Sequence, residues 1–231
     1  MFEFTTLFCT IDDFFQKNEA IYWQYLKQEN PKVRQRSGVL CLSEIIFIAV
    51  WYKKSQLHHF KAFYGMIKRF YAKLFKLLPS YQRMIHLINQ HQLALQALHI
   101  SLASNAQTNC AWVDSTTLPV CKNQRIQLHK SLKQIATRGK SSMGWFYGCK
   151  LHVLVNAQGQ FIQTQYFRYQ DSAEARSRLH MDWYLYKIRH LVENALARLK
   201  HFRGIATRYD KLKKTCENSV ALACIFIWLP L

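Results

Sequence analysis

Apolar residues recur at helical spacing through the first hundred positions. From Gly38 to Trp51, Leu40, Ile45, Ile48 and Ala49 keep a near-helical rhythm, with Ser43 as the expected cap. From His58 to Leu78 the stripe turns aromatic, with Phe60, Phe63, Tyr64, Phe70 and Tyr71 separated by Lys and Arg. Such a stripe reads as core packing rather than as a base-stacking surface. Tyr81 to Leu98 continues with Met84, Ile85, Leu87 and Ile88, and Leu78-Pro79-Ser80 separates the two helices. Residues 1–107 are therefore expected to form a helical amino-terminal domain.

The texture changes near Cys110. Cys110 to Val120 is β-branched and apolar around one acid, Asp114, and predicts a buried strand. Leu151 to Asn156 predicts a second strand, Ala157 to Gln160 a turn and Phe161 to Phe167 a third strand, the last two strands pairing as a hairpin. Between the first two strands, Gln124 to Gly144 is basic, with Arg138-Gly139-Lys140-Ser141-Ser142 at its exposed end. From Tyr184 the helical period returns. Ile188, Leu191, Val192, Ala195, Leu196, Leu199 and Phe202 mark one face, and Arg189, Glu193, Lys200 and Arg203 the other. The run 219–231 is apolar but short of the roughly 20 residues a bilayer span needs, so a buried helix is expected.

Charge alters this picture. The chain has 231 residues, with 32 Lys and Arg against 13 Asp and Glu, a formal net charge of +19. Residues 1–120 hold 13 basic and 7 acidic residues, whereas 121–215 hold 19 and 5. So lopsided a balance argues against an ordinary metabolic enzyme and for a polyanionic partner, met mainly by the second half. The seven cysteines form no C-x-x-C pair and lack His partners at zinc-finger spacing, so reduced, mostly buried thiols are expected. No basic stretch is followed by an apolar one at the start of the sequence, so no signal peptide is expected.

Two carboxylates stand out. Asp114 ends an apolar run, where a charge is costly unless something pairs with it; metal coordination is one solution and a plain strand-end cap the other. Glu193 lies on the polar face of a basic amphipathic helix. Arg189 is its i−4 neighbour and Lys200 lies two turns further on the same side, in the spacing Tyr186-x₂-Arg189-x₃-Glu193-x₆-Lys200. A solvated salt-bridge face is the plain alternative.

With these residues in view, the chain resembles the DDE transposases of bacterial insertion sequences. Ile11-Asp-Asp-Phe14, Leu42-Ser-Glu-Ile45, Phe60-Lys-Ala-Phe-Tyr64 and Pro79-Ser-Tyr81 resemble one subfamily. Val113-Asp-Ser-Thr116, Val120-Cys-Lys-Asn123, Gly139-Lys-Ser-Ser142, Gly144-Trp-Phe-Tyr-Gly148 and Lys150-Leu-His152 continue that match. From about Asp182 the chain is similar to a different subfamily, through Leu185-Tyr-Lys187, Arg189-His-Leu-Val-Glu-Asn194, Leu199-Lys-His-Phe-Arg203 and Ile205-Ala-Thr-Arg-Tyr-Asp210.

The resemblance implies an α/β chain: a helical domain, then an incomplete ribonuclease-H-like mixed sheet over 108–231, closed by the Glu helix. It implies DNA strand cleavage and transfer with Mg²⁺ or Mn²⁺ held by Asp114 and Glu193. Tyr186, Arg189 and Lys200 would contact DNA. Double-stranded DNA at transposon ends is the implied partner, a homodimer is left open, no membrane is involved, and the location is the bacterial cytoplasm at the nucleoid.

The family's middle Asp has no matching motif here. Arg168 to Leu185 offers eighteen residues, too few for a helix and two strands at about 11–12 and 5–6 residues each. A fusion of two transposase genes near 168–184, with an internal deletion, accounts for this. Asp171 and Asp182 are weak substitutes. Two-metal chemistry needs carboxylates on both ions. The expected function is therefore a degenerate transposase, with an inactive DNA-binding remnant as the alternative. A basic RNA-associated protein is a further alternative that no recognition motif supports.

Overall fold

A computed structural model describes residues 2–29, 38–55, 57–104, 110–130, 132–141, 144–167, 190–206 and 212–229. It forms two compact units, one of 1–98 with 229–231 and one of 99–228.

The first unit is helical: α1 (Phe2–Glu29), α2 (Leu42–Lys54), α3 (Phe60–Met66), α4 (Tyr81–Gln90) and the first part of α5 (Gln92–Ser104). Leu7, Ile11 and Phe15 repeat every four residues and bury one seam of α1. That seam packs on α2, whose Ile45, Ile46, Ile48 and Ala49 are fully buried.

The cap of α2 is Cys41 rather than Ser43. The Glu44 N–H donates to Cys41 Sγ at 3.4 Å, and the Cys41 N–H donates to Glu44 Oε2 at 2.8 Å. Ser43 lies inside the helix and is buried. The aromatic stripe is core only in part. Phe63 and Tyr64 are buried, but a π-helical turn over Ile67–Tyr71 shifts the phase, and Phe70 is 69% exposed.

The periodic run from Tyr81 breaks at His91, which leaves α-helical geometry between α4 and α5. Its Nδ1 and the Tyr22 hydroxyl share a hydrogen bond at 2.9 Å. Burial foremost, then the nearby Arg83 charge, lowers the His91 pKa to about 4, so the ring is neutral at pH 7.

The second unit is a four-stranded sheet with helices on one face. Its strands are β1 (Ala111–Cys121), β2 (Thr137–Ser141), β3 (Gly144–Asn156) and β4 (Phe161–Phe167). All described pairings are antiparallel. Strand β3 is the centre. β1 runs along one edge, while β2 pairs with its first part and β4 with its second on the other edge.

The second predicted strand thus begins at Gly144, seven residues before Leu151, and the basic segment before it contains β2. β4 has the predicted bounds and forms the predicted hairpin. In its turn the Asn156 carboxamide oxygen accepts from the backbone N–H of Gln158 and Gln160, and Gly159 takes a positive φ of 74°.

Strands cross closely at Gly148. A Cβ there would fall on the backbone carbonyl of Leu118, beside the register shift between Pro119 and Cys121. This is a physical reason for the second glycine of Gly144-Trp-Phe-Tyr-Gly148.

The core of this unit joins Leu118, Cys149, Leu151, Val153, Val155 and Phe161 of the sheet to three helices, α6 (His190–His201), α7 (Arg203–Ala206) and α8 (Lys213–Trp228). Helix α6 packs on β1 and β3, and α8 on β4. The Phe161 carbonyl accepts from His99 Nε2 at 2.8 Å and from Trp228 Nε1.

Three cysteines, at 149, 216 and 224, are buried; those at 9, 41 and 110 are exposed, so the thiols are less buried than composition suggested. No helix of the described residues is long and apolar enough to cross a membrane. The expected junction near 168–184 lies outside the described residues.

Candidate functional site

Side chains alternate across a strand. On β1, Trp112 and Leu118 join the core packed beneath the helices, and Thr116 is buried. Asp114 shares their parity and therefore their face. The register agrees: Asp114 lies opposite Val153, Thr116 opposite Leu151 and Leu118 opposite Cys149, all three partners being core residues. Asp114 is half-buried, and one carboxylate oxygen accepts the Ser115 N–H at 2.8 Å. It is the single carboxylate of the four described strands.

His152 stands opposite Ser115 on β3. Burial pulls its pKa down first, the neighbouring Lys150 charge adds to this, and the Asp114 carboxylate opposes both. The imidazole is thus held neutral near pH 7.

Helix α6 buries Val192, Ala195, Leu196 and Leu199 as one stripe. At 100° per residue, Glu193 and Lys200 fall on the same flank of that stripe, about 10 Å apart along the axis. Both are exposed. The structure thus seats the helix bearing Glu193 on the strands β1 and β3, over the face that holds Asp114. Tyr186 and Arg189, and the acids Asp171 and Asp182, lie outside the described residues.

The donor chemistry of Asp114 and Glu193 fits one hard divalent cation, since Mg²⁺ and Mn²⁺ take carboxylate oxygens and keep several waters. It does not fit a two-ion centre. Among the described residues no group of three or more His, Cys, Asp or Glu is assembled to hold a metal.

The sequence marked Arg138 and Lys140 as part of an exposed basic end but did not reveal Trp145 beside them at the start of β3. Trp145 is 58% exposed there, with the Arg138 guanidinium 5.4 Å and the Lys140 ammonium 5.9 Å from its ring centroid. The available signal was the alternation of Trp145, Tyr147 and Cys149, which extends the Leu151 strand backwards in period two.

Residues 104–180 match the family described as Transposase DDE domain. Over 49 residues, 21% of this chain, the sequence is 45% identical to a Brucella ovis protein named "Putative transposase for insertion sequence element IS6501". The aligned part spans 38% of that relative's length. No solved structure matches the chain. Residues 104–180, which include all four strands, are thus similar to the DDE domain of transposases.

Proposed function

We propose that this chain is an insertion-sequence transposase by descent that binds duplex DNA at transposon ends and does not cut it. One observation carries the reading. Between Asp114 and Asp171 the chain has no carboxylate and eight Lys and Arg, and this stretch supplies most of the sheet. A cationic, acid-free sheet suits a polyanion. The same stretch leaves Asp114 without a second strand-borne carboxylate, the place the resemblance assigns to the middle Asp.

In this reading the sheet is the ribonuclease-H-like part. Asp114 and Glu193 hold one Mg²⁺ or Mn²⁺ loosely, each supplying hard oxygen donors. Such an ion would supply charge for a nearby phosphate. Cutting a phosphodiester by the two-metal route would need a further carboxylate. Lys200, on the flank of Glu193, faces the same phosphate path, as do Tyr186 and Arg189 by the resemblance.

Two measurements test this. Binding of a transposon-end duplex, titrated against salt, should weaken by roughly 0.9 in log affinity per log salt for each phosphate neutralised; an affinity indifferent to salt would sink the DNA reading. Supercoiled plasmid incubated with Mn²⁺ should stay unnicked. Nicking that is lost in Asp114→Asn would overturn the inactive reading, and further loss in Asp171→Asn or Asp182→Asn would name the third ligand.

A further inference from the structure

Away from Asp114, the β2–β3 hairpin carries a surface of its own. The register sets Lys140 opposite Trp145 and Arg138 opposite Tyr147, so these side chains share one face of the hairpin. Trp145 is 58% exposed, and both cations rest within 6 Å of its ring centroid. Beside the indole lies an open groove of about 400 Å³, lined by residues 119–123 with Trp145 and Phe146. Lys122 and Asn123 are exposed along it, and the Asn123 amide donates to the Trp145 carbonyl at 3.0 Å, tying the groove wall to the strand.

The two halves of this patch answer to different parts of one ligand. Phosphate groups are served by Arg138, Lys140 and Lys122 and gain nothing from an indole. A flat π-face is served by Trp145 and gains nothing from a surrounding without carboxylates. A nucleotide uses both: its base stacks on the aromatic ring while cations neutralise the flanking phosphates. The base must be unpaired, because inside a duplex both of its faces are already stacked on neighbours.

We propose that the β2–β3 hairpin is a single-strand DNA contact, with Trp145 as the stacking platform and Arg138 and Lys140 as phosphate ligands. The proposal rests on the DNA reading above and adds a second, distinct site to it. Trp145 is eight residues along β3 from Val153, the partner of Asp114, or about 26 Å at strand rise. A substitution at the hairpin therefore leaves the surroundings of the carboxylate intact.

The test compares a blunt DNA duplex with the same duplex bearing a short single-stranded overhang, by fluorescence anisotropy on the full chain. The overhang should raise affinity at least about fivefold, the lower end of what one stacked base contributes. Trp145→Ala should remove that preference and leave blunt-duplex affinity within about twofold. Trp145→Phe, which keeps a π-face, should retain most of it. The double variant Arg138→Gln with Lys140→Gln should reduce it as well, and serves if Trp145→Ala fails to fold. Equal binding of the two DNAs by the unaltered protein, or a preference that survives in Trp145→Ala or in the double variant, would overturn the inference while leaving duplex binding standing. Failure to bind either DNA would instead remove the underlying DNA reading, and this contact with it.

Discussion

The helical unit and the sheet unit handle carboxylates in opposite ways. In the helical unit they serve local structure. Asp12 accepts from the Gln16 amide at 2.7 Å, Glu19 from the Trp23 indole at 3.0 Å, and Glu44 closes the cap of α2. In the sheet unit the four described strands hold Asp114 as their one acid, on the face that the helices cover, and every other charge on them is positive. Acids spent on helix turns are interchangeable with other polar residues. A lone acid in a cationic sheet is not, and that contrast directs attention to Asp114.

The contrast is also one of tolerance to added atoms, and the largest expected effect exploits it. Gly148→Ala drives a Cβ into the Leu118 carbonyl, and backbone cannot swing aside as a side chain would. Overpacking typically costs about 1–3 kcal/mol and a backbone clash falls at the upper end, so the sheet unit should lose about 3 kcal/mol in urea denaturation. A loss below about 1 kcal/mol would show that the strands part easily at this crossing.

Next in size is an acid transition in the helical unit. Unfolded His91 takes up a proton near pH 6.5, but in the fold only near 4, because burial and then Arg83 oppose the charge. Between those values the unfolded chain binds more protons, so stability falls as pH drops from 6.5 towards 4, by about 3 kcal/mol. Thermal melts across this window should show the drop, and His91→Gln should flatten it. Equal slopes in both proteins would mean that the ring is not sequestered.

A smaller effect concerns DNA. Lys200→Ala should lower the salt slope of duplex binding by about 0.9, one phosphate's worth. Lys27→Ala, at the end of α1, should leave the slope unchanged. Equal changes would reduce the Glu193–Lys200 flank to a generic solvated face.

The smallest effect has the opposite sign to the first. Gly65 lies within α3 and a Cβ there meets nothing within 4 Å. Gly65→Ala should therefore stabilise the helical unit by about 0.5–1 kcal/mol, by restricting the unfolded chain. The same substitution would then help one unit and break the other.

How much of this was written in the sequence depends on how local its cause is. The Asn156–Gly159 turn and the bounds of β4 were readable because turn residues and alternation act within a few positions. Strand β2 was not, since Thr137-Arg-Gly-Lys-Ser141 has little strand propensity of its own and is held by pairing with β3. The break at His91 was hidden too. Apolar periodicity runs through it, and what holds the ring is Tyr22, sixty-nine residues away in the chain. At the candidate site, Asp114 and Glu193 were recognisable one at a time from pattern and resemblance. Their placement on one sheet face and its covering helix required the strand register.

The Phe161 carbonyl, which receives both His99 and Trp228, sets a timetable for the nascent chain. Its two donors lie 62 and 67 residues away in opposite directions. The sheet unit therefore cannot be finished during synthesis until Trp228 has been made, whereas helices α1 to α4 can pack as they emerge. At about 5–20 residues per second, several seconds pass in which β3 and β4 exist without α8 above them. In that interval Phe161 and its neighbours face solvent, and a ribosome stalled before Trp228 would present a cationic, half-covered sheet to whatever nucleic acid or chaperone lies nearest.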